Sequence, residues 1–166
     1  MIDSFTFEHA GRQYKAEIHA DESMGPPWEE HDGHGIVSDW TTRDKAPGEL
    51  VLATDGRSRR FYDFSGSCAR ARAEGWDSAP YNTGQESKAA QAAKAARADY
   101  EYLRAWCADE WSWCGVVVVP LCDCCGAADE SRSESLWGID SSDGGAYLQE
   151  VARELAEQVQ DAAQAA

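Results

Sequence analysis

Apolar and polar positions follow two periods along this chain, and each period predicts its own kind of element. Phe5 and Phe7 alternate with polar neighbours, and Tyr14, Ala16, Ile18 and Ala20 do the same after Ala10 and Gly11. Period-two runs on either side of a glycine predict a hairpin with one buried face. Residues 50–54 and 60–64 flank the turn dipeptide of Asp55 and Gly56, which predicts a second hairpin. Residues 111–121 read WSWCGVVVVPL, a β-branched run closed by Pro120. That run predicts a strand covered on both faces, since a membrane span needs about 20 apolar residues. Glu134–Asp140, with Leu136, Trp137 and Ile139, predicts its partner strand across a cysteine-bearing turn.

The longer period marks the helices. Residues 67–75 predict a short one, with Ser67 as N-cap and Gly75 as the stop. The capping-box pattern of Thr83 and Glu86 then predicts an alanine-rich helix reaching about Glu110. Its apolar stripe is Ala89, Ala93, Ala96, Tyr100, Leu103 and Cys107. After Asp143 as cap, Leu148, Val151, Leu155, Val159 and Ala162 form one stripe of a last helix, and residues 160–166 are expected to fray. Residues 21–48 hold four Gly and three Pro among acids and histidines, so they predict an ordered loop-like arm anchored by Trp28, Ile36, Val37 and Trp40. The order, hairpin, arm, hairpin, two helices, hairpin, helix, predicts an α+β fold. A single layered domain spanning residues 1–166 is expected, with a mostly antiparallel sheet and helices packed on one face.

Composition sharpens this picture. A length of 166 residues, 43% hydrophobic with seven Trp, fits a folded domain with its own core. The formal net charge is −15 and unevenly spread. Residues 121–166 carry ten acids against Arg132 and Arg153, and seven acids with no Lys or Arg lie between Glu17 and Asp39. Such a field repels nucleic acid and attracts basic surfaces. The dense basic cluster, Arg57, Arg59 and Arg60, reads as a solvated turn that offsets nearby acids. No apolar segment follows a basic start, so the reading is no signal peptide, no membrane anchor and a cytoplasmic setting. Free thiols or metal ligation then suit the six cysteines better than disulfides. A Gly-rich phosphate loop, a nucleophile elbow and a dinucleotide fingerprint are all lacking.

Three constellations can carry function. Cys122 and Cys125 have the spacing that turns two thiolates toward one tetrahedral ion, and His31 and His34 have a similar spacing. Together they outline a Cys₂His₂ zinc site in a small regulatory protein. Alternatively, His31, Asp32 and His34 suit a metal-dependent enzyme, although no nucleophile or spaced helix motif accompanies them. The third is a protein-binding surface. Trp28 and Trp40 sit among Glu29, Glu30, Asp32 and Asp39, and Glu150, Glu154, Glu157 and Asp161 line the outer side of the last helix. Aromatic anchors within a charged rim suit an interface whose partner is basic. Carboxylates placed where phosphates would lie can occupy a nucleic-acid-binding groove.

PPWEEHDGHGIVSDW at residues 26–40, and ESLWGIDS followed by the helix at 147–155, resemble small acidic accessory proteins of tailed bacteriophages of GC-rich bacteria. The resemblance covers most of the length and carries over no catalytic residue. It implies the infected bacterial cytoplasm as the setting. Small accessory phage proteins often counter host defences, including CRISPR and restriction systems, and the acidic surfaces add the expectation of a basic, nucleic-acid-binding host complex as the target.

No secretion signal is read, and the cysteine cluster at 122–125 is too local for a framework of disulfide-closed loops. The chain is therefore expected to keep its cooperative thermal transition in millimolar dithiothreitol, and a transition lost on adding the thiol would contradict this reading.

Overall fold

The computed structural model describes residues 1–76 and 86–164. It divides into two compact units, one of Met1–Met24 with Trp111–Ala166, the other of Gly25–Glu110. The α+β class is observed, with antiparallel strands throughout. The strands belong to two sheets, where the order of elements had suggested one.

The first unit holds a four-stranded sheet. β1 (Asp3–His9) pairs with β2 (Arg12–Ala20) through the turn at Ala10 and Gly11, as the alternation predicts. β6 (Trp113–Pro120) is the valine strand and lies between β2 and β7 (Glu134–Asp140). One face meets the last helix, α4 (Gly144–Gln164), in a core of Tyr14, Ala16, Ile18, Val116, Val118 and Ile139 against Leu148, Val151, Leu155 and Val159. Alternation sends Val117 to the other face, where it is half-buried. The β6–β7 register shifts between Cys114 and Val116, so β7 carries an extra residue there. Gly138 takes φ +73° at this bulge, and its N–H donates to Asp21 at 3.0 Å. The shift lays the Trp137 ring over Gly115, where a methyl group would collide with it. The α4 stripe is the expected one from Leu148 to Val159, while Ala162, expected to extend it, is exposed. The helix also continues through the stretch expected to fray, up to Gln164. The Asp143 side chain, expected as its cap, lies outside the described residues.

The second unit is a three-stranded sheet in the order β3 (Ile36–Trp40), β5 (Ser58–Asp63), β4 (Glu49–Asp55), with helices α1 (Pro27–Glu30), α2 (Phe64–Glu74) and α3 (Lys88–Cys107). The arm is thus not a plain loop. Its Ile36–Trp40 stretch becomes an edge strand because β5 offers a free edge, a partner some twenty residues away. The turn at Gly56 has φ +54°, as the hairpin requires. α2 starts at Phe64, with the Asp63 carboxylate accepting the Gly66 N–H at 2.9 Å. Ser67, expected as the cap, is instead fully buried, and its hydroxyl accepts the Ile36 N–H at 2.9 Å. Gly75 ends the helix in the left-handed conformation, φ +70°, as expected. The capping-box residue Thr83 lies outside the described residues; α3 is capped by Ser87, which accepts the Ala90 N–H. Its buried side is Ala92, Ala95, Ala96 and Leu103, while Ala89 is exposed. Alanine on every side left the apolar face of this helix underdetermined by periodicity. Tyr62, Leu52 and Leu103 form the core, with Trp28, Val37, Leu50 and Tyr100 around them. Among the described residues no helix is long and apolar enough to cross a membrane.

Val118 is fully buried against α4. Val118→Asp is expected to cost about 4 kcal/mol or more and abolish the cooperative melt of the first unit, because the new charge finds no partner. Val117→Asp, on the half-buried face, is expected to cost clearly less. Equal melting temperatures for the two variants would show that the strand is not packed this way.

Candidate functional site

The carboxylates of α4 follow from its amphipathic pattern. Burying Leu148, Val151, Leu155 and Val159 turns Glu150, Glu154, Glu157 and Asp161 outward, and all four are exposed. Their steps of four, three and four residues keep them on one side, a row roughly 16 Å long at 1.5 Å per residue. Among the described residues none of the four has an ion-pair partner. The row is therefore free to meet positive charge from outside.

The arm residues are divided. The Trp28 ring meets Trp106 edge-on at 5.4 Å between centroids, with the Arg60 guanidinium 4.7 Å from its centre. Arg60 also donates to both oxygens of Asp39, at 2.8 and 2.9 Å. That bidentate bond holds the Asp39 carboxyl below its ordinary range. Trp28 and Asp39 thus meet on Arg60 and fasten their own unit together. Glu30 accepts the Gly25 N–H at 2.8 Å. Glu29 and Asp32 are exposed, and Trp40 keeps 41% of its surface exposed beneath Arg43, 4.3 Å away.

His34 has a different neighbour from any expected. Its Nδ1 donates to Asp99 Oδ1 at 2.6 Å, and its ring stacks on Tyr102 with 7° between planes. Asp99 Oδ2 accepts from the Gly35 N–H at 2.7 Å and the Tyr62 hydroxyl at 2.8 Å. Burial pushes the Tyr62 hydroxyl well above its ordinary range, so it stays a donor. One carboxylate ties the segment before β3 to β5 and α3. His31 and Asp32 are exposed.

The thiols converge on the turn after β6. Cys122 N–H donates to the Ala127 carbonyl, and Gly126 N–H donates back to the Cys122 carbonyl, both at 2.8 Å. Gly126 supplies φ +70°. The loop so closed brings the sulfurs of Cys122, Cys124 and Cys125 within 4.8 Å of one another, and this set could hold a metal ion. The Cys122 and Cys124 sulfurs are 2.9 Å apart. The Cys124 thiol, followed by the backbone N–H groups of Cys124 and Cys125, holds the Cys122 thiol down at about 7. Among the described residues this is the set of three or more candidate ligands that converges; His31, Asp32 and His34 do not form another. Cys124 joins Cys122 and Cys125, and the two histidines are outside the set. Cys124 was legible as a neighbour in the same turn. Asp99 had no local signal, being one acid on an alanine-rich helix 65 residues from His34.

Comparison with protein-family models, with curated proteins and with solved structures finds no match to this chain.

Removing the Asp99 carboxylate takes the acceptor from the Gly35 N–H and the partner from His34, and leaves the Tyr62 hydroxyl only the Ala96 carbonyl at 3.0 Å. Asp99→Ala is expected to destabilise the second unit by about 2–4 kcal/mol. A melt by circular dichroism within a degree of the parent's would show the network to be dispensable.

Proposed function

We propose that this chain is a bacteriophage accessory protein that binds and inhibits a basic, nucleic-acid-binding host defence complex. The observation that carries the reading is the row of Glu150, Glu154, Glu157 and Asp161, exposed on one side of α4 without ion-pair partners among the described residues. Four carboxylates spaced along a rigid helix present negative charge at the pitch of about one per turn. A groove built for phosphates meets such a row without rearrangement of the ligand. The net charge of −15 adds long-range attraction to the same partner. Trp40, with Glu29 and Asp32, offers a second, smaller contact with an aromatic anchor. The residues joined to Arg60, Trp28 and Asp39, serve the fold in this reading. An enzyme built on His31, Asp32 and His34 is not favoured, because among the described residues these three do not converge as a set of ligands.

A second reading comes from the thiol turn. We infer that Cys122, Cys124 and Cys125 hold Zn²⁺ there. Tetrahedral zinc with thiolates at about 2.3 Å places its sulfurs close to 4 Å apart; the three sulfurs lie within 4.8 Å, and the Cys122–Cys124 pair at 2.9 Å would open by about 1 Å to take the ion. Zinc would brace the hairpin tip, and it leaves the partner-binding reading untouched.

The inhibitor reading is tested on immobilised protein exposed to bacterial host extract, with a short double-stranded DNA as competitor. Captured protein is expected to be released by the DNA and by salt, since screening falls to about 8 Å at physiological ionic strength. Changing Glu150, Glu154 and Glu157 together to Gln is expected to slow association about tenfold, at roughly 0.5 kcal/mol for each exposed pair lost. Retention of capture and inhibition by the triple variant would make the charge a matter of solubility alone. Simultaneous binding of DNA and this protein to the target would sink the mimicry.

A further inference from the structure

The thiol turn borders a cleft of about 300 Å³ lined by Arg12, Cys122, Asp123, Cys124 and Asp129. Strand register explains why Arg12 is there. β2 and β6 pair Tyr14 with Pro120, and past the end of β6 the Leu121 N–H still donates to the Gln13 carbonyl at 2.9 Å, which carries the thiol turn alongside Arg12. The Nε of Arg12 is buried and has no hydrogen-bond partner among the described residues. A buried donor left unpaired is uncommon and calls for an acceptor. This one belongs to a guanidinium, whose fork matches a carboxylate.

The ligand count leads to the same cleft. Three thiolates fill three positions of a tetrahedral zinc ion and leave the fourth open, as catalytic and ligand-exchanging zinc sites do. Sulfur is a favoured partner for zinc already held by thiolates. Resting on the zinc reading above, we propose that the ion's fourth position takes a small thiol that carries a carboxylate, with its sulfur on the metal and its carboxylate on Arg12. The incoming thiol gives its proton to solvent and displaces a water molecule from the ion, with no change in oxidation state. Asp123 and Asp129 oppose an anion in this cleft; Asp129 already accepts the Ser131 hydroxyl at 2.6 Å. A preference for the carboxylate-bearing thiol therefore measures whether Arg12 outweighs them.

The test uses the reduced, full-length chain loaded with Co²⁺, whose visible absorption reports tetrahedral geometry and whose sulfur charge-transfer bands report the number of thiolates. 3-Mercaptopropionate and its uncharged counterpart 2-mercaptoethanol are then titrated. The expected result is a three-thiolate spectrum that gains a fourth sulfur, with 3-mercaptopropionate half-saturating at about tenfold lower concentration, the worth of one charge-assisted hydrogen bond. Arg12→Gln is expected to keep Co²⁺ uptake and lose the difference between the two thiols, and Arg12→Lys to keep part of it. Equal affinities in the parent, a difference that persists in Arg12→Gln, or a spectrum showing four protein thiolates before any thiol is added would each overturn the proposal while leaving a metal at the turn. No Co²⁺ uptake by the reduced protein would remove the zinc reading itself, and this proposal with it.

Discussion

The pairing of β2 with β6 is the constraint on which the first unit depends. It joins Ala16 to Val118 and Ala20 to Cys114, residues on either side of a complete second unit. Closing a flexible loop of roughly 90 residues costs about 4 kcal/mol beyond a constant term. Local hairpins cannot offset that cost alone. The offset comes from the buried face of the sheet, where Tyr14, Val116 and Val118 meet the α4 stripe. The valine run is thus both the central strand and the apolar surface that draws the two ends of the chain together.

A buried carboxylate plays the corresponding part in the second unit. Asp99 accepts from His34, Gly35 and Tyr62, and the Ser67 hydroxyl beside them takes the Ile36 N–H. These bonds converge on the start of β3, the edge strand that emerges from a segment rich in glycine and proline. Tyr62 crowds Gly35 so closely that any side chain there would collide with its ring. A fully satisfied polar cluster of this kind rigidifies what hydrophobic contact alone would leave loosely placed.

The same economy separates acids that hold the fold from acids that face outward. Asp39, Glu49 and Asp99 are each engaged by donors within their own unit. Glu150, Glu154, Glu157 and Asp161 sit on the side of α4 that its apolar stripe leaves over, and no basic residue meets them among those described. The excess negative charge is therefore presented on a regular element at fixed spacing. The thiol turn at the tip of the β6–β7 connection is likewise set by backbone, through two hydrogen bonds and one left-handed glycine.

The sequence by itself determined what depends on near neighbours. The β1–β2 and β4–β5 hairpins, the valine strand, the Gly75 stop, the α4 stripe and its outward acids were all legible, because alternation, turn residues and helical period act within a few residues. The Cys122–Cys125 spacing was legible for the same reason, although the third sulfur comes from the residue between them. Tertiary structure decided the rest. Whether Ile36–Trp40 became strand or loop depended on the free edge of β5. Which side of the alanine-rich α3 was buried depended on the sheet beneath it. Trp28 and Asp39 were tied to their own unit, Asp39 still exposed, because Arg60, from another strand, could stack on one and pair with the other. His34 met Asp99 and not a cysteine because a partly buried imidazole takes whichever partner the folded chain brings within about 3 Å, and sequence spacing carries no record of that distance.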